Sequence, residues 1–219
     1  MSSAAKRYAL FDLDGTLLDT EPAHTAAIDA VLAPYGKRLT LELKRRMMGR
    51  ATPEAAEILI NALALPLSAD EYVARRDPLL WQLTARAEEI AGAAAFVGNL
   101  AARGVTMGVA TSSPLALTRN KLCNHAMKEH FRAMVCGDDE RLSRSKPAPD
   151  IFLEAARRMG ADPAQTVVFE DSESGVAAAR AAGMDVVVIA DPVFGLQEVP
   201  EALLVVRDFC DPRPLALFV

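Results

Sequence analysis

The sequence lacks paired cysteines and any excess of positive charge. Its three cysteines, Cys123, Cys136 and Cys210, are odd in number and have no paired metal-ligand spacing, so we expect buried reduced thiols in place of a disulfide framework. The net charge of −5 at pH 7 argues against a nucleic-acid or anionic-membrane partner. A site for an anionic substrate must therefore gather its positive charge locally.

An amino-terminal apolar run, internal repeats and a low-complexity tail are also missing. The residues before the first predicted strand contain no stretch that resembles a signal peptide or a membrane span. We therefore expect a cytoplasmic protein without a membrane partner, and a monomer in preference to an oligomer. The chain has 219 residues, of which 51% are hydrophobic and 24% charged. This suits one well-buried globular domain, or one domain with a smaller insert.

A short apolar run that ends in two acids is the centre of the predicted fold. The pattern of Tyr8–Phe11 predicts a buried parallel strand, and Asp12 and Asp14 follow it with Leu13 between them. Because alternate strand residues point the same way, both carboxylates can converge on one spot, where their repulsion requires a cation or a shared proton. Gly15 then allows a sharp turn. An ordinary strand and turn is the simpler alternative for these residues taken alone.

The rest of the chain changes from a helical to an alternating pattern. Residues 19–89 carry repeated helix-start signals, including the capping-box spacing of Ser68 and Glu71, and they predict a small helical module. Strands and helices then alternate, which indicates a parallel sheet with helices on both faces. We therefore predict an α/β fold with a Rossmann-like core of residues 1–18 and 90–219 and an inserted helical domain of residues 19–89.

Polar side chains follow the later predicted strands where each strand ends. They are Thr111, Lys146 from a loop, and Glu170 and Asp171. The carboxyl ends of parallel strands share one edge of a sheet, so we expect these groups to meet Asp12 and Asp14 there. Four acids with one lysine and one hydroxyl suit Mg²⁺ and a phosphoryl group. Taken singly, the acids could belong to a turn and the lysine could be solvated.

The helix that follows Thr111 offers a place for phosphate oxygens. Ser113 is the expected cap, with Pro114 at the first helical position. Free N–H groups and the helix dipole favour anions at such a start, and Lys146 can neutralise a further oxygen. Asp12 is then the candidate nucleophile, because a carboxylate can accept a phosphoryl group as an acyl phosphate. Asp14 is the candidate general acid and base.

These motifs, in this order, resemble the haloacid dehalogenase superfamily. Residues 12–16 match its first motif, Thr111 its second, Lys146 its third, and Glu170 with Asp171 its fourth. The helical insert after the first motif is similar to that of the members with a small α-helical cap. The resemblance implies Mg²⁺ dependence, an aspartyl-phosphate intermediate and phosphate binding by Thr111, Ser112 and Lys146. It also implies that Asp12, the backbone carbonyl of Asp14, and Asp171 bind the metal, with Glu170 supporting through water.

Within this superfamily the chain resembles three phosphotransfer branches. These are the pseudouridine-5′-phosphatase-like proteins, the sugar-phosphate phosphatases and β-phosphoglucomutase. The expected function is hydrolysis of a small phosphomonoester, with a phosphosugar mutase and a non-catalytic phosphate-binding regulatory module as alternatives. Substrate contacts from the cap are expected from Thr20, His24 and Arg50, although a plain helix histidine and a surface salt bridge are the alternatives for the last two.

Overall fold

The chain forms two units, as a computed structural model shows. The structure describes residues 5–47, 52–191 and 199–218. One unit comprises Met1–Asp19 and Glu88–Val219, and the other comprises Thr20–Ala87. Within the described residues, no helix is both long enough and apolar enough to cross a membrane.

The first unit is built on a parallel sheet with β1 in its interior. The strands are β1 (Tyr8–Phe11), β2 (Leu18–Asp19), β3 (Glu88–Glu89), β4 (Thr106–Thr111), β5 (Phe131–Cys136), β6 (Thr166–Glu170), β7 (Asp185–Ile189) and β8 (Leu204–Val206). Six of them form a sheet in the order β5-β4-β1-β6-β7-β8, and every pairing in it is parallel. The short strands β2 and β3 pair separately and antiparallel. The predicted parallel sheet is therefore confirmed.

Helices cover both faces of this sheet. The described helices are α5 (Ala93–Ala102), α6 (Leu115–Leu122), α7 (Asp150–Met159) and α8 (Glu173–Ala181) in this unit, and α1 (Glu21–Leu32), α2 (Leu41–Met47), α3 (Thr52–Leu63) and α4 (Ala69–Thr84) in the other unit. Successive strand residues point to opposite faces. Leu10 shares a buried cluster with α7 and α8, including Phe152 and Val176. Phe11 faces Phe96 of α5, with 6.4 Å between the ring centres. The predicted two-sided α/β fold is confirmed.

The second unit contains α1 to α4 around its own apolar cluster. Ile28, Leu32, Leu59 and Tyr72 are among the buried members of this cluster. The predicted capping box before α4 is confirmed, because the Ser68 hydroxyl accepts the Glu71 N–H and the Glu71 carboxylate accepts the Ser68 N–H. These reciprocal bonds satisfy two donors that the helix itself leaves without partners.

The cysteines are free but only one of them is buried. Cys136 lies at the end of β5, and burial raises the pKa of its thiol. Cys123 and Cys210 are exposed, so the expectation of buried thiols was wrong for these two residues. The physical reason is their position: Cys123 follows the last residue of α6, and Cys210 lies between β8 and a short carboxyl-terminal helical turn.

Candidate active site

Three neighbouring strands bring the predicted site residues to one edge of the sheet. Strand β1 lies between β4 and β6 in parallel register, with Phe11 opposite both Val109 and Phe169. The polar residues at the three carboxyl ends are Asp12, Thr111 and Glu170. Because all three strands run in the same direction, residues that are far apart in the sequence meet at this edge.

Lys146 joins two of these carboxylates from the segment between β5 and α7. Its Nζ donates to Asp12 Oδ1 at 2.5 Å, to Glu170 Oε1 at 2.6 Å and to the Ala110 carbonyl at 3.2 Å. The lysine side chain is only 5% exposed. Burial lowers the pKa of Lys146, but the charges of Asp12 and Glu170 outweigh it and raise the pKa overall. The ammonium therefore stays charged next to Asp12.

Glu170 is held by several donors of the protein. Besides Lys146 it accepts, through Oε2, the N–H groups of Asp171 and Ser172 and the Ser172 hydroxyl at 2.9 to 3.0 Å. Its carboxylate lies against Gly175, where a Cβ would be 1.8 Å from Oε1. Glycine is therefore required at this point of α8 if Glu170 is to keep its place. The arrangement fixes both Lys146 and the turn after β6.

Asp12 and Asp171 also lie close to other acids of this edge. Burial raises the pKa of Asp12 to about 7; Lys146 opposes this increase, while Glu170 and Asp14 add to it. Burial also raises the pKa of Asp171 well above its ordinary value, with Glu170 and Asp12 contributing in the same direction. Such like-charge crowding is common where carboxylates converge on a cation or a reaction centre.

The turn after β1 is shaped around Asp171. Gly15 has a φ of +78°, in the left-handed region that favours glycine. A Cβ on Gly15 would be 2.1 Å from Asp171 Oδ2, so the carboxylate packs directly on the glycine backbone. The Thr16 hydroxyl donates to the other carboxylate oxygen at 3.4 Å. The glycine of the first motif is therefore needed to make room for the carboxylate of the fourth motif.

Asp14 has two partners that the sequence analysis did not identify. Lys121 Nζ donates to Asp14 Oδ1 at 2.6 Å and to Oδ2 at 2.8 Å, and the Ser113 hydroxyl donates to Oδ2 at 2.9 Å. A signal was available in the sequence, because Lys121 falls on the same helical face as Thr118 and Leu122, which are both buried. A lysine on a buried face needs an acidic partner.

The start of α6 differs from its prediction. The helix begins at Leu115 with Pro114 before it, and the Ser113 side chain does not cap it. The Leu115 N–H instead donates to Asp138 Oδ1 at 2.9 Å. The expected cap was wrong because the Ser113 hydroxyl is already bonded to Asp14.

The predicted phosphate-binding residues of this segment differ in exposure. Thr111 is buried at the end of β4, and its hydroxyl oxygen accepts the Ser113 N–H at 3.1 Å. Ser112 is exposed at the same edge. These two residues, together with Lys146, stay candidates for phosphate binding.

The predicted substrate contacts of the cap belong to the second unit. Thr20 is buried immediately before α1, and its carbonyl accepts the His24 N–H at 3.0 Å. His24 lies in the first turns of α1 and is partly exposed. Arg50 lies outside the described residues. For all three residues, substrate contact stays a prediction.

The donor chemistry of the edge fits a magnesium ion. Within the described residues, no group of three or more His, Cys, Asp or Glu side chains is already arranged to hold a metal. The oxygen donors are nevertheless of the kind that Mg²⁺ prefers. Burial and the neighbouring carboxylates raise the pKa of Asp12 and Asp171 even though Lys146 opposes the increase, so Lys146 alone does not supply the positive charge that these two carboxylates need. A divalent cation would supply that charge.

The fold and this edge define an α/β protein with a candidate ligand site at the carboxyl ends of its parallel strands. Residues 9–189 match the haloacid dehalogenase-like hydrolase family. The chain therefore belongs to this family, and the resemblance stated from its motifs is confirmed.

Two curated relatives and one solved structure are similar over most of their length. A probable pseudouridine-5′-phosphatase of Drosophila melanogaster is 37% identical over 94% of this chain and 91% of its own. The (DL)-glycerol-3-phosphatase 2 of Arabidopsis thaliana is 35% identical over 94% of this chain and 89% of its own. A provisionally identified β-phosphoglucomutase of Thermotoga maritima is 29% identical, with a TM-score of 0.82 over 97% of this chain and all of its own.

Proposed function

We propose that this protein hydrolyses a small phosphomonoester through a phosphoryl group carried on Asp12, with Mg²⁺ as its cofactor. The observation that supports this most directly is the buried Asp12 carboxylate at the end of β1, with the Lys146 ammonium 2.5 Å from Oδ1. A carboxylate nucleophile needs its own charge balanced when an anionic phosphoryl group approaches. Lys146 places a permanent positive charge at that point.

In the first step, an oxygen of Asp12 attacks the phosphorus atom. The bond between phosphorus and the substrate oxygen breaks, and its electron pair stays on that leaving oxygen. Protonated Asp14 gives its proton to the leaving oxygen, so that a neutral alcohol departs. Thr111 and Ser112 are proposed to bind the phosphoryl oxygens, since both lie at the carboxyl end of β4 where α6 is about to begin.

In the second step, a water molecule attacks the phosphorus atom of the acyl phosphate. Asp14, now a carboxylate, takes one proton of the water, and the bond to Asp12 breaks with its electron pair returning to the Asp12 carboxylate. Phosphate is released, and Asp14 carries the proton again. The same two residues thus return to their starting states after one turnover.

Asp12, Asp171 and the main-chain carbonyl of Asp14 are the proposed ligands of Mg²⁺. When bound, the ion supplies positive charge to the phosphoryl oxygens. Glu170 is proposed to hold the metal ligands in position, because its two oxygens already accept hydrogen bonds from Lys146, Ser172 and the amide of Asp171. Removing that support would loosen Lys146 and the 171–172 turn together.

A small soluble phosphomonoester is the proposed substrate class. The two curated relatives named above are phosphatases of small phosphorylated compounds and share more residues with this chain than the mutase-like structure does. This difference supports water as the acceptor in preference to a sugar hydroxyl. The proposed substrate contacts from the second unit are those of Thr20, His24 and Arg50.

A phosphate-release screen with a metal test and a nucleophile variant tests the proposal. Sugar phosphates, polyol phosphates and nucleoside monophosphates, including pseudouridine 5′-phosphate, are incubated with the protein and Mg²⁺. Asp12→Asn and removal of metal with EDTA should each lower the rate at least about a thousandfold, and added Mg²⁺ should restore the chelated protein. Asp162→Asn is the matched control, because Asp162 lies before β6, at the other end of that strand.

Three outcomes would contradict the proposal in different ways. Activity that survives both Asp12→Asn and chelation refutes the nucleophile. Conversion of β-glucose 1-phosphate, with a trace of the 1,6-bisphosphate, into glucose 6-phosphate faster than any phosphate release establishes the mutase alternative. Binding of Mg²⁺ or phosphate without turnover of any compound in the screen establishes the regulatory module.

A further inference from the structure

Lys121 is a buried lysine to which the proposed reaction assigns no role. Its side chain is 1% exposed. A lysine ammonium has three N–H donors. Here they reach three acceptors: the two carboxylate oxygens of Asp14 at 2.6 and 2.8 Å and the Ser113 hydroxyl oxygen at 2.8 Å. All three N–H donors of Lys121 are therefore used by Asp14 and Ser113.

Lys121 lies deeper in the protein than Asp14, as the exposure of the two side chains shows. Burial of an ammonium costs free energy unless the charge is paired and its donors are satisfied. As a carboxylate, the form that the second step uses, Asp14 provides that pairing, and its side chain is 26% exposed whereas that of Lys121 is 1% exposed. The lysine thus holds the carboxylate from the protein interior. Part of Asp14 stays accessible at the edge of the sheet.

Ser113 is itself held in place by the backbone around it. Its carbonyl accepts the Gly137 N–H at 3.0 Å, and its own N–H donates to the Thr111 hydroxyl oxygen at 3.1 Å. A Cβ on Gly137 would be 2.2 Å from the Ser112 carbonyl oxygen, so the end of β5 packs directly on this loop. The Ser113 hydroxyl therefore reaches Asp14 from a fixed position.

We propose that Lys121 is a positioning residue that, together with Ser113, orients the Asp14 carboxylate for cleavage of the Asp12 acyl phosphate. This inference rests on the proposed function. In that step the water oxygen bonds to phosphorus, the bond from phosphorus to Asp12 breaks with its electron pair returning to the carboxylate, and one water proton passes to Asp14. Proton transfer depends steeply on geometry, so a carboxylate that can rotate accepts the proton less often.

The test separates the two chemical steps with p-nitrophenyl phosphate and Mg²⁺. p-Nitrophenol is a good leaving group that departs without a proton, so formation of the acyl phosphate does not depend on Asp14. Lys121→Met should leave nitrophenol release in a single turnover, with enzyme in excess, close to that of the unaltered protein. The steady-state kcat should fall about ten- to hundredfold. This is less than the whole contribution of a general base, because Asp14 is still present but less well oriented. KM should fall with it, so that kcat/KM is nearly unchanged.

Two further variants make the result specific. Lys6→Met removes another buried lysine, which is 7% exposed and lies 2.5 Å from Asp185, and it should leave kcat unchanged. Ser113→Ala removes one hydrogen bond to Asp14 and leaves the charge of Lys121 paired with Asp14. It should lower kcat in the same pattern, by a smaller factor, and it keeps the proposal testable if Lys121→Met does not fold.

The outcomes distinguish this inference from the proposed function. An unchanged kcat in both Lys121→Met and Ser113→Ala overturns the positioning role, provided that Asp12→Asn is inactive. Equal losses in kcat and kcat/KM also overturn it, because general damage to the fold would lower both. In an Asp14→Asn background, Lys121→Met should cause no additional loss, and an additional loss refutes the role. Full activity of Asp12→Asn refutes the proposed function itself.

Discussion

Gly175→Ala should destabilise the protein although it places a better helix former in a helix. The new Cβ would lie 1.8 Å from Oε1 and 1.9 Å from the carboxyl carbon of Glu170. Glu170 can move away only by weakening its bonds to Lys146 and to the N–H groups of Asp171 and Ser172. Glu170 is 1% exposed, so water does not replace the lost bonds.

The expected size of the effect follows from two opposing contributions. Breaking a buried ion pair outright costs about 3–5 kcal/mol, and we take about 3 kcal/mol for a displaced carboxylate that keeps some of its bonds. Alanine is favoured over glycine by about 1 kcal/mol inside a helix, which leaves a net loss of about 2 kcal/mol. For a chain of this size the loss corresponds to a fall of about 4–8 °C in Tm.

Gly98→Ala is the matched control for this substitution. Gly98 lies inside α5, and in the part of the chain that the structure describes no heavy atom lies within 4 Å of the Cβ that alanine would add, apart from its chain neighbours and the backbone of the helix itself. The same change there should raise stability by about 0.5–1 kcal/mol. Thermal unfolding followed by circular dichroism measures both variants, and phosphate release measures activity, which should fall only in Gly175→Ala. If Gly175→Ala is as stable as Gly98→Ala, then Glu170 does not occupy the position described.

Two further predictions concern groups outside the candidate site. The Tyr72 hydroxyl is buried and makes no hydrogen bond of ordinary geometry among the described residues, although the Arg76 guanidinium lies 5.6 Å from the ring centre and opposes the increase in the pKa of Tyr72 that burial causes. Tyr72→Phe should therefore raise the free energy of unfolding by about 1 kcal/mol in urea denaturation; a loss of stability would show that Arg76 bonds the hydroxyl. Hydrogen bonds from Arg157, and further interactions with Arg158, lower the pKa of Glu154 from 4.5 to about 2. The ionised carboxylate therefore stabilises the fold above pH 4.5, and this contribution is lost as the pH falls towards 2. Glu154→Gln should remove at most about 1 kcal/mol of that pH dependence, because surface ion pairs are weak; an unchanged acid limb of the stability curve would contradict the assignment.

The α/β class and the order of the reactive side chains along the chain can be predicted from local sequence patterns. Continuous apolar runs such as residues 8–11 and 186–189, in a chain where strands and helices alternate, favour a buried parallel sheet, and polar residues directly after such strands then lie at its carboxyl edge. These inferences depend on local periodicity and on the direction of the chain. They therefore predict that Asp12, Thr111 and Glu170 lie at one edge of the sheet.

Which charged groups contact one another depends on how distant parts of the chain pack together. Lys146 and Asp12 are 134 positions apart, and Lys121 and Asp14 are 107 positions apart, so no local pattern connects either pair. The sequence indicated Lys146 through the order of the motifs, but Lys121 was missed, because a single lysine in an amphipathic helix is usually solvated. Lys121 finds its partner only because the packing of α6 leaves its side chain 1% exposed. Burial then selects the partner, since an ammonium excluded from water must find a carboxylate.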